Sequence, residues 1–255
     1  MPSISAVYAR ICSPMRILAI DTSTRTGSVA LLHDGVVLAE VSGHEETPYS
    51  SRLFRDLETL KRDASFSLDQ IDVFAVASGP GSFTGLRIGL TAVKAWAEIH
   101  DKPIAAISGL EAIAAQSTAG CAGLPAKDQI LAPFFDARRG QLFGCIYRRP
   151  ASNGAALEPL SEESIVSPQE FIDLVKGRVH LGRTTIVSPV PNLLPSGLVE
   201  ESLPGIRIET VSEALAPAVG RLAFERAKRG DLLDPLRLDA NYVRRSDAEA
   251  AWSDR

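Results

Sequence analysis

The strongest constraint in this sequence is the stretch from Val73 to His100, which reads as a buried strand, a glycine-rich turn and a helix. Val73 to Ala77 is a short, partly β-branched apolar run of the kind that is covered on both faces. Gly79-Pro80-Gly81 cannot continue a strand and turns the chain sharply. Ser82 or Thr84 can cap the following helix, whose Leu86, Leu90, Val93 and Ala97 recur at core spacing. Gly85 and Gly89 lie one turn apart on one side, leaving a shallow groove for the close approach of another backbone. A strand–glycine loop–helix unit aims backbone N–H groups at an anion, so phosphate binding is one reading of the turn. The standard spacings are missing: Thr84 stands where the dinucleotide fingerprint needs a glycine, and no Gly-Lys-Ser/Thr close follows. Nor is there a Gly-x-Ser-x-Gly nucleophile elbow, because Ser82 follows Gly81 directly. Taken alone, the residues favour a tight turn that packs a helix onto a sheet.

The rest of the chain builds around this unit. Arg16 to Ile20, Gly27 to Leu32 and Val36 to Val41 read as three strands, joined by the polar turn Asp21-Thr22-Ser23-Thr24 and the hairpin turn Asp34-Gly35. Pro48 and Ser50-Ser51 start a helix whose apolar stripe is Leu53, Phe54, Leu57 and Leu60. Ile104 to Ile107 is a further strand. Three antiparallel strands followed by strand–helix alternation predict an α/β lobe with a mixed sheet. Gly109 to Thr118 reads as a helix. Ile130 to Phe135, the turn Asp136-Ala137-Arg138-Arg139-Gly140 and Gln141 to Arg148 repeat the strand–polar turn–strand unit, which hints at two similarly built halves. Ser167-Pro168-Gln169-Glu170 starts a helix over Phe171 to Val175. Val179 to Gly182 and Thr185 to Val187 read as strands, Pro189 to Pro204 as irregular, Ser212 to Arg229 as a helix, and Pro235 to Arg245 as an extended segment. The expected organisation is an extended or disordered start over 1–14, a first lobe over 15–107, a second over 108–245 and a loose tail over 246–255.

At 255 residues the chain is long enough for about two domains, and 45% hydrophobic with 23% charged residues is an ordinary soluble mixture. A net charge of −4 excludes an overall basic field for nucleic acid. It leaves the local pairs Arg138-Arg139, Arg148-Arg149 and Arg244-Arg245, which in most proteins are solvated surface. Cys12, Cys121 and Cys145 form neither a metal spacing nor a disulfide framework, which fits a reducing, cytoplasmic location. No apolar run reaches membrane-spanning length. His33, His44, His100 and His180 are scattered.

Asp21-Thr22-Ser23 after an opening strand, the run Gly79-Pro80-Gly81-Ser82-Phe83-Thr84-Gly85-Leu86-Arg87-Ile88-Gly89, Asp136-Ala137-Arg138-Arg139-Gly140 and the terminal Tyr242-Val243-Arg244 together resemble the TsaB (YeaZ) family. The resemblance spans Met15 to about Arg245, and the run from Gly79 to Gly89 is its most specific part. It implies the two-lobed actin/sugar kinase/Hsp70-like (ribonuclease H-like) fold, with mixed sheets flanked by helices. It also implies a non-catalytic subunit that binds TsaD. With TsaD and the ATPase TsaE, such a subunit serves to install N6-threonylcarbamoyladenosine at position 37 of tRNAs reading codons that start with A. No cofactor is then expected in this chain, with ATP and metal on the partner subunits. Contact with tRNA would be indirect, no membrane is involved, and a homodimer is possible when TsaD is absent.

The alternative is a glycoprotease-like metallohydrolase. TsaD-type enzymes carry a His-x-x-x-His metal pair on the helix after the next strand, where two imidazoles on one face share a metal. The matching positions here are Gly109 and Ile113, which offer no ligand. Asp21, Thr22, Ser23 and Asp136 occupy the positions of the fold's phosphate turns, where small glycines would admit phosphate oxygens. Asp21 is either a relict magnesium-facing carboxylate or an aspartate that caps its own turn. What remains is a binding face. Side-by-side packing of the helices Arg52–Lys61 and Thr84–His100 would expose Gly85, Arg87, Ile88, Gly89, Thr91, Ala92 and Ala95 to an equivalent helix pair on a partner.

Overall fold

The computed structural model describes residues 14–43, 49–118, 128–152, 156–241 and 243. The expected start over 1–14 (apart from Pro14), the helix-starting Pro48, the terminal Tyr242 and Arg244, and the tail over 246–255 lie outside the described residues.

In chain order the first part contains β1 (Arg16–Asp21), β2 (Ser28–His33), β3 (Val36–Ser42), α1 (Tyr49–Ala64), β4 (Val73–Gly79), α2 (Phe83–His100), β5 (Ile104–Ser108) and α3 (Gly109–Ala115). The second part contains β6 (Gln129–Arg138), β7 (Gln141–Gly144), β8 (Tyr147–Arg149), β9 (Glu158–Pro159), β10 (Ser164–Val166), α4 (Pro168–Lys176), β11 (Arg183–Ser188), α5 (Ser196–Ser202), β12 (Arg207–Thr210) and α6 (Ala216–Lys228).

The chain divides into two compact units: the described residues of 1–109 with those of 213–242, and a second unit made chiefly of 110–212. The expected second lobe over 108–245 is therefore too long at its end. The physical reason is that α6 packs on β1, β2 and β4. At Gly220 a Cβ would come within 2.1 Å of Leu32 Cδ1, so only glycine lets α6 lie this close.

In the first unit the sheet order is β3-β2-β1-β4-β5, with β1–β2 and β2–β3 antiparallel and β1–β4 and β4–β5 parallel. Leu18, Ile20, Phe74 and Val76 point to one face, where Leu53, Leu57 and Leu60 of α1 and Leu86, Leu90 and Val93 of α2 cover them. This matches the period-2 and period-3.6 patterns read from the sequence. Phe54 is the exception. It is 59% exposed and meets Trp96 of α2 edge-on, with centroids 6.2 Å apart, so it lies outside the core stripe to which the sequence assigned it.

The second unit repeats the first. Its order is β10-β7-β6-β11-β12, again two antiparallel pairings followed by two parallel ones, with β8 and β9 as an added ribbon on β6. Its core gathers Ile130, Phe134 and Ile186 from the sheet with Phe171 and Val175 from α4. Ser167 and Glu170 form a reciprocal cap at the start of α4, as their spacing predicts.

Four local readings change. Gln141 to Arg148 is not one strand: the chain leaves the ladder at Cys145-Ile146, where the Ile146 N–H turns to Ser161 Oγ at 3.0 Å. Val179 to Gly182 holds a 3-10 turn, and β11 begins only after Gly182, where a Cβ would meet Asp128 O at 2.5 Å. Pro189 to Pro204 is not irregular, because Pro195 fixes the entry to α5 and Val199 and Leu203 reach the core. The last helix starts at Ala216 rather than Ser212: Pro217 fits a first turn, and Ser28 Oγ accepts the Ala216 N–H at 3.0 Å.

Candidate functional site

The turn after β1 is a buried, densely hydrogen-bonded polar feature of the first unit. Asp21, Thr22, Ser23 and Thr24 are all buried. The Asp21 carboxylate accepts from the Ser23 N–H at 2.8 Å, Ser23 Oγ at 2.6 Å and Thr24 Oγ1 at 2.7 Å. Burial pushes its pKa up from the ordinary value of 3.8, and the hydrogen bonds from Ser23 and Thr24 oppose that rise. A carboxylate held this way caps its own turn.

The glycine-rich turn locks onto this loop. Ser82 donates its N–H to Ser23 O at 2.9 Å, and Thr22 Oγ1 donates to Gly85 O at 2.7 Å. A Cβ on Gly85 would sit 2.0 Å from Thr22 O, and one on Gly89 2.3 Å from Thr22 Oγ1. The groove predicted over Gly85 and Gly89 exists, but the backbone that fills it is this chain's own. Both glycines are therefore buried against this chain's own loop rather than exposed, which corrects the exposure that the sequence reading expected. Ala92 is likewise buried, in the core cluster, and leaves the exposed set. The loop is held from two further sides: Arg52 of α1, buried, donates to Thr26 O at 3.0 Å, and Thr26 Oγ1 donates to Glu213 at 2.6 Å. Sequence reasoning missed Arg52, since no spacing marks an arginine that is 2% exposed.

What α2 does present is a row at every fourth position: Arg87, Thr91, Ala95 and Ile99, all exposed. Arg87 stacks over Phe83 with its guanidinium carbon 4.0 Å from the ring centroid. Ile88 is half-buried against the core. Ile99, 74% exposed, and Phe54, 59% exposed, add two large apolar side chains that the sequence reading left out. The i, i+4 row points to Ile99 once Arg87, Thr91 and Ala95 are taken together. Helix α6 lies on the opposite face of the sheet, against Leu32 rather than Leu31, so it does not cover this row.

Asp136 stands in the second unit, near the end of β6. It accepts the Arg138 N–H at 2.7 Å and pairs with the Arg138 guanidinium at 3.5 Å. Arg138, Arg139 and Gly140 are exposed at the hairpin tip. Ile113, at the second of the two metal positions, is wholly buried. Among the described residues, no group of three His, Cys, Asp or Glu side chains is placed to hold a metal ion, and no helix is long and apolar enough to cross a membrane.

Residues 44–198 match the family model described as TsaD: tRNA N6-adenosine threonylcarbamoyltransferase. The Bacillus subtilis tRNA threonylcarbamoyladenosine biosynthesis protein TsaB is 32% identical over 93% of this chain and 98% of its own length. The Escherichia coli protein of the same name is 36% identical over 53% of this chain and 56% of its own. Among solved structures, YeaZ from Pseudomonas aeruginosa superposes with a TM-score of 0.66 at 24% identity, over 89% of this chain and 99% of that one, and so shares the fold. With a relative of this identity aligned along nearly its whole length, the chain belongs to the TsaB family.

Proposed function

We propose that this chain is a non-catalytic scaffold subunit in tRNA threonylcarbamoyladenosine biosynthesis. It binds TsaD and, through that complex, TsaE, and supports formation of N6-threonylcarbamoyladenosine at position 37 of tRNAs reading codons that start with A. The names of its relatives support the pathway. The observation that carries the non-catalytic role is the sealed turn: the Asp21 carboxylate is spent on its own loop, and Thr22 fills the space beside Gly85 and Gly89. ATP and metal then belong to the partner subunits. The docking face is the outer row of α2, namely Arg87, Thr91 and Ala95, flanked by Ile88, Ile99 and Phe54 of α1. Exposed apolar side chains beside small ones suit a helix–helix interface, and a second copy of the chain can use the same face when TsaD is absent. A cytoplasmic location follows from the tRNA substrate.

Reconstitution tests both parts. With purified TsaD, TsaE and the enzyme that supplies the threonylcarbamoyl group, tRNA modification is expected to require this chain; full modification without it overturns the scaffold role. Thr91→Glu and Ala95→Arg change only exposed positions, so circular dichroism and the unfolding midpoint stay those of the wild type while co-purification with TsaD is lost. Retained co-purification assigns the interface elsewhere.

A further inference from the structure

The β6–β7 hairpin holds two arginines in a backbone conformation that arginine disfavours. Its pairing register shifts between Asp136 and Arg138, and Arg138 pairs with Gln141, so Arg139 and Gly140 form a two-residue turn after a bulge. The φ angles of Arg138, Arg139 and Gly140 are +68°, +57° and +72°. A positive φ disfavours side chains with a Cβ by roughly 1–2 kcal/mol, and only Gly, Asn and Asp adopt it routinely. The molecule provides its own control. The two-residue β2–β3 hairpin places Asp34-Gly35 at its tip, a pair well suited to this turn type. The other non-glycine residues with positive φ among those described are Ser65 and Asp101, both short and polar. Among the described residues, long side chains take this conformation only at Arg138 and Arg139, side by side and exposed.

An outlier held at a cost points to use. The bulge re-aims the strand end, Asp136 anchors Arg138 from one side at 3.5 Å, and both guanidiniums stand at the solvent-facing tip. The planar guanidinium fork matches phosphate oxygens bidentately. The chain carries net charge −4, so any attraction for a polyanion must be local. We propose that the Arg138–Arg139 tip of the β6–β7 hairpin is a contact point for the phosphate backbone of the tRNA, a direct contact where the family resemblance implies only an indirect one, and an inference that rests on the tRNA-modification reading above. The contact is sequence-independent and positions the RNA without reading its bases.

The test uses the reconstituted complex with Arg138→Asn, Arg139→Asn and the double variant. Asparagine tolerates positive φ, so these changes keep or raise the unfolding midpoint and separate binding from folding. With the double variant, KM for tRNA is expected to rise about tenfold at low salt with kcat unchanged. The slope of log affinity against log salt should become shallower by about one to two, as loss of two phosphate contacts requires. Unchanged KM and slope, in a complex that still needs this chain, overturn the hairpin contact and leave the scaffold reading standing. Modification that proceeds without the chain overturns the scaffold reading itself. Loss of TsaD co-purification with tRNA affinity intact means that the tip docks protein, and also overturns the proposal.

Discussion

Asp21 closes β1 and Asp136 stands near the end of β6, the equivalent strands of two sheets that share one pairing pattern. After Asp21 the chain runs six residues before Ser28 re-enters the ladder, and that loop folds inward until Thr22, Ser23 and Thr24 are spent on Asp21 and on the glycine-rich turn. After Asp136 the ladder resumes almost at once, and the two-residue tip stays in solvent. Glycine placement differs in the same sense. Gly85 and Gly89 are glycines because Thr22 leaves no room, whereas Gly140 has no atom within 4 Å of where its Cβ would be. One topological position thus serves as an internal rivet in the first unit and as an outward-facing point in the second. What distinguishes them is loop length and the surface available to receive the loop, not the aspartate.

The largest effect expected from this contrast is at Gly85. Alanine there places a Cβ 2.0 Å from Thr22 O, a backbone atom that cannot swing aside. Gly85→Ala should cost about 3 kcal/mol, the upper range for overpacking, measured as a shifted urea midpoint. A change below about 1 kcal/mol on that scale would mean that the turn is not riveted as described. Next comes Asp21→Asn. With its oxygen kept on Ser23, the amide turns its NH2 toward the Thr24 hydroxyl that had donated to the carboxylate, a loss of about 2 kcal/mol. The sign of its pH dependence follows from the raised pKa. The proton is held more tightly in the folded chain, so the stability that Asp21 contributes is fully present below 3.8 and is lost as pH rises through the folded value. The gap between wild type and D21N should therefore be widest in acid and narrow on the way to neutrality; a gap independent of pH removes the burial argument. Thr22→Val is milder, about 1.5 kcal/mol, because it deletes one buried hydrogen bond to Gly85 O while keeping the shape.

How much of this was legible beforehand follows from what each signal can carry. The strand–turn–helix over Val73 to His100, the Asp34-Gly35 hairpin and the Ser167–Glu170 cap are local patterns, and each appears where its residues place it. The recurrence of strand–polar turn–strand correctly suggested two similar halves, since pairing pattern follows from the order of strands. The return of residues 213–241 to the first unit was hidden, because the closeness of Gly220 to Leu32 is a tertiary fit with no periodic trace. The face of α2 was half legible. Spacing correctly placed Arg87, Thr91 and Ala95 on one side, but small size was taken for exposure at Gly85, Gly89 and Ala92, where it signals close packing instead. Phe54 was misplaced for the converse reason: a large apolar residue one position from Leu53 was read as core.

Gly140→Ala is the smallest effect and the sharpest check of the contrast. The Cβ it adds meets nothing within 4 Å, so no packing penalty exists and the whole cost is the backbone conformation at φ +72°. That conformation disfavours alanine by roughly 1 kcal/mol relative to glycine. Gly85 reverses the division: its substitution suffers from a collision, with no positive φ to add. The two variants should therefore separate in both size and character. G140A should shift the urea midpoint slightly and leave co-purification with TsaD untouched, while G85A should also disturb the packing of α2, which a loss of near-ultraviolet signal from Trp96 would report. If G140A proves as costly as G85A, the β6–β7 tip is packed rather than open, and the arginines beside it are then held by the fold instead of being offered to a ligand.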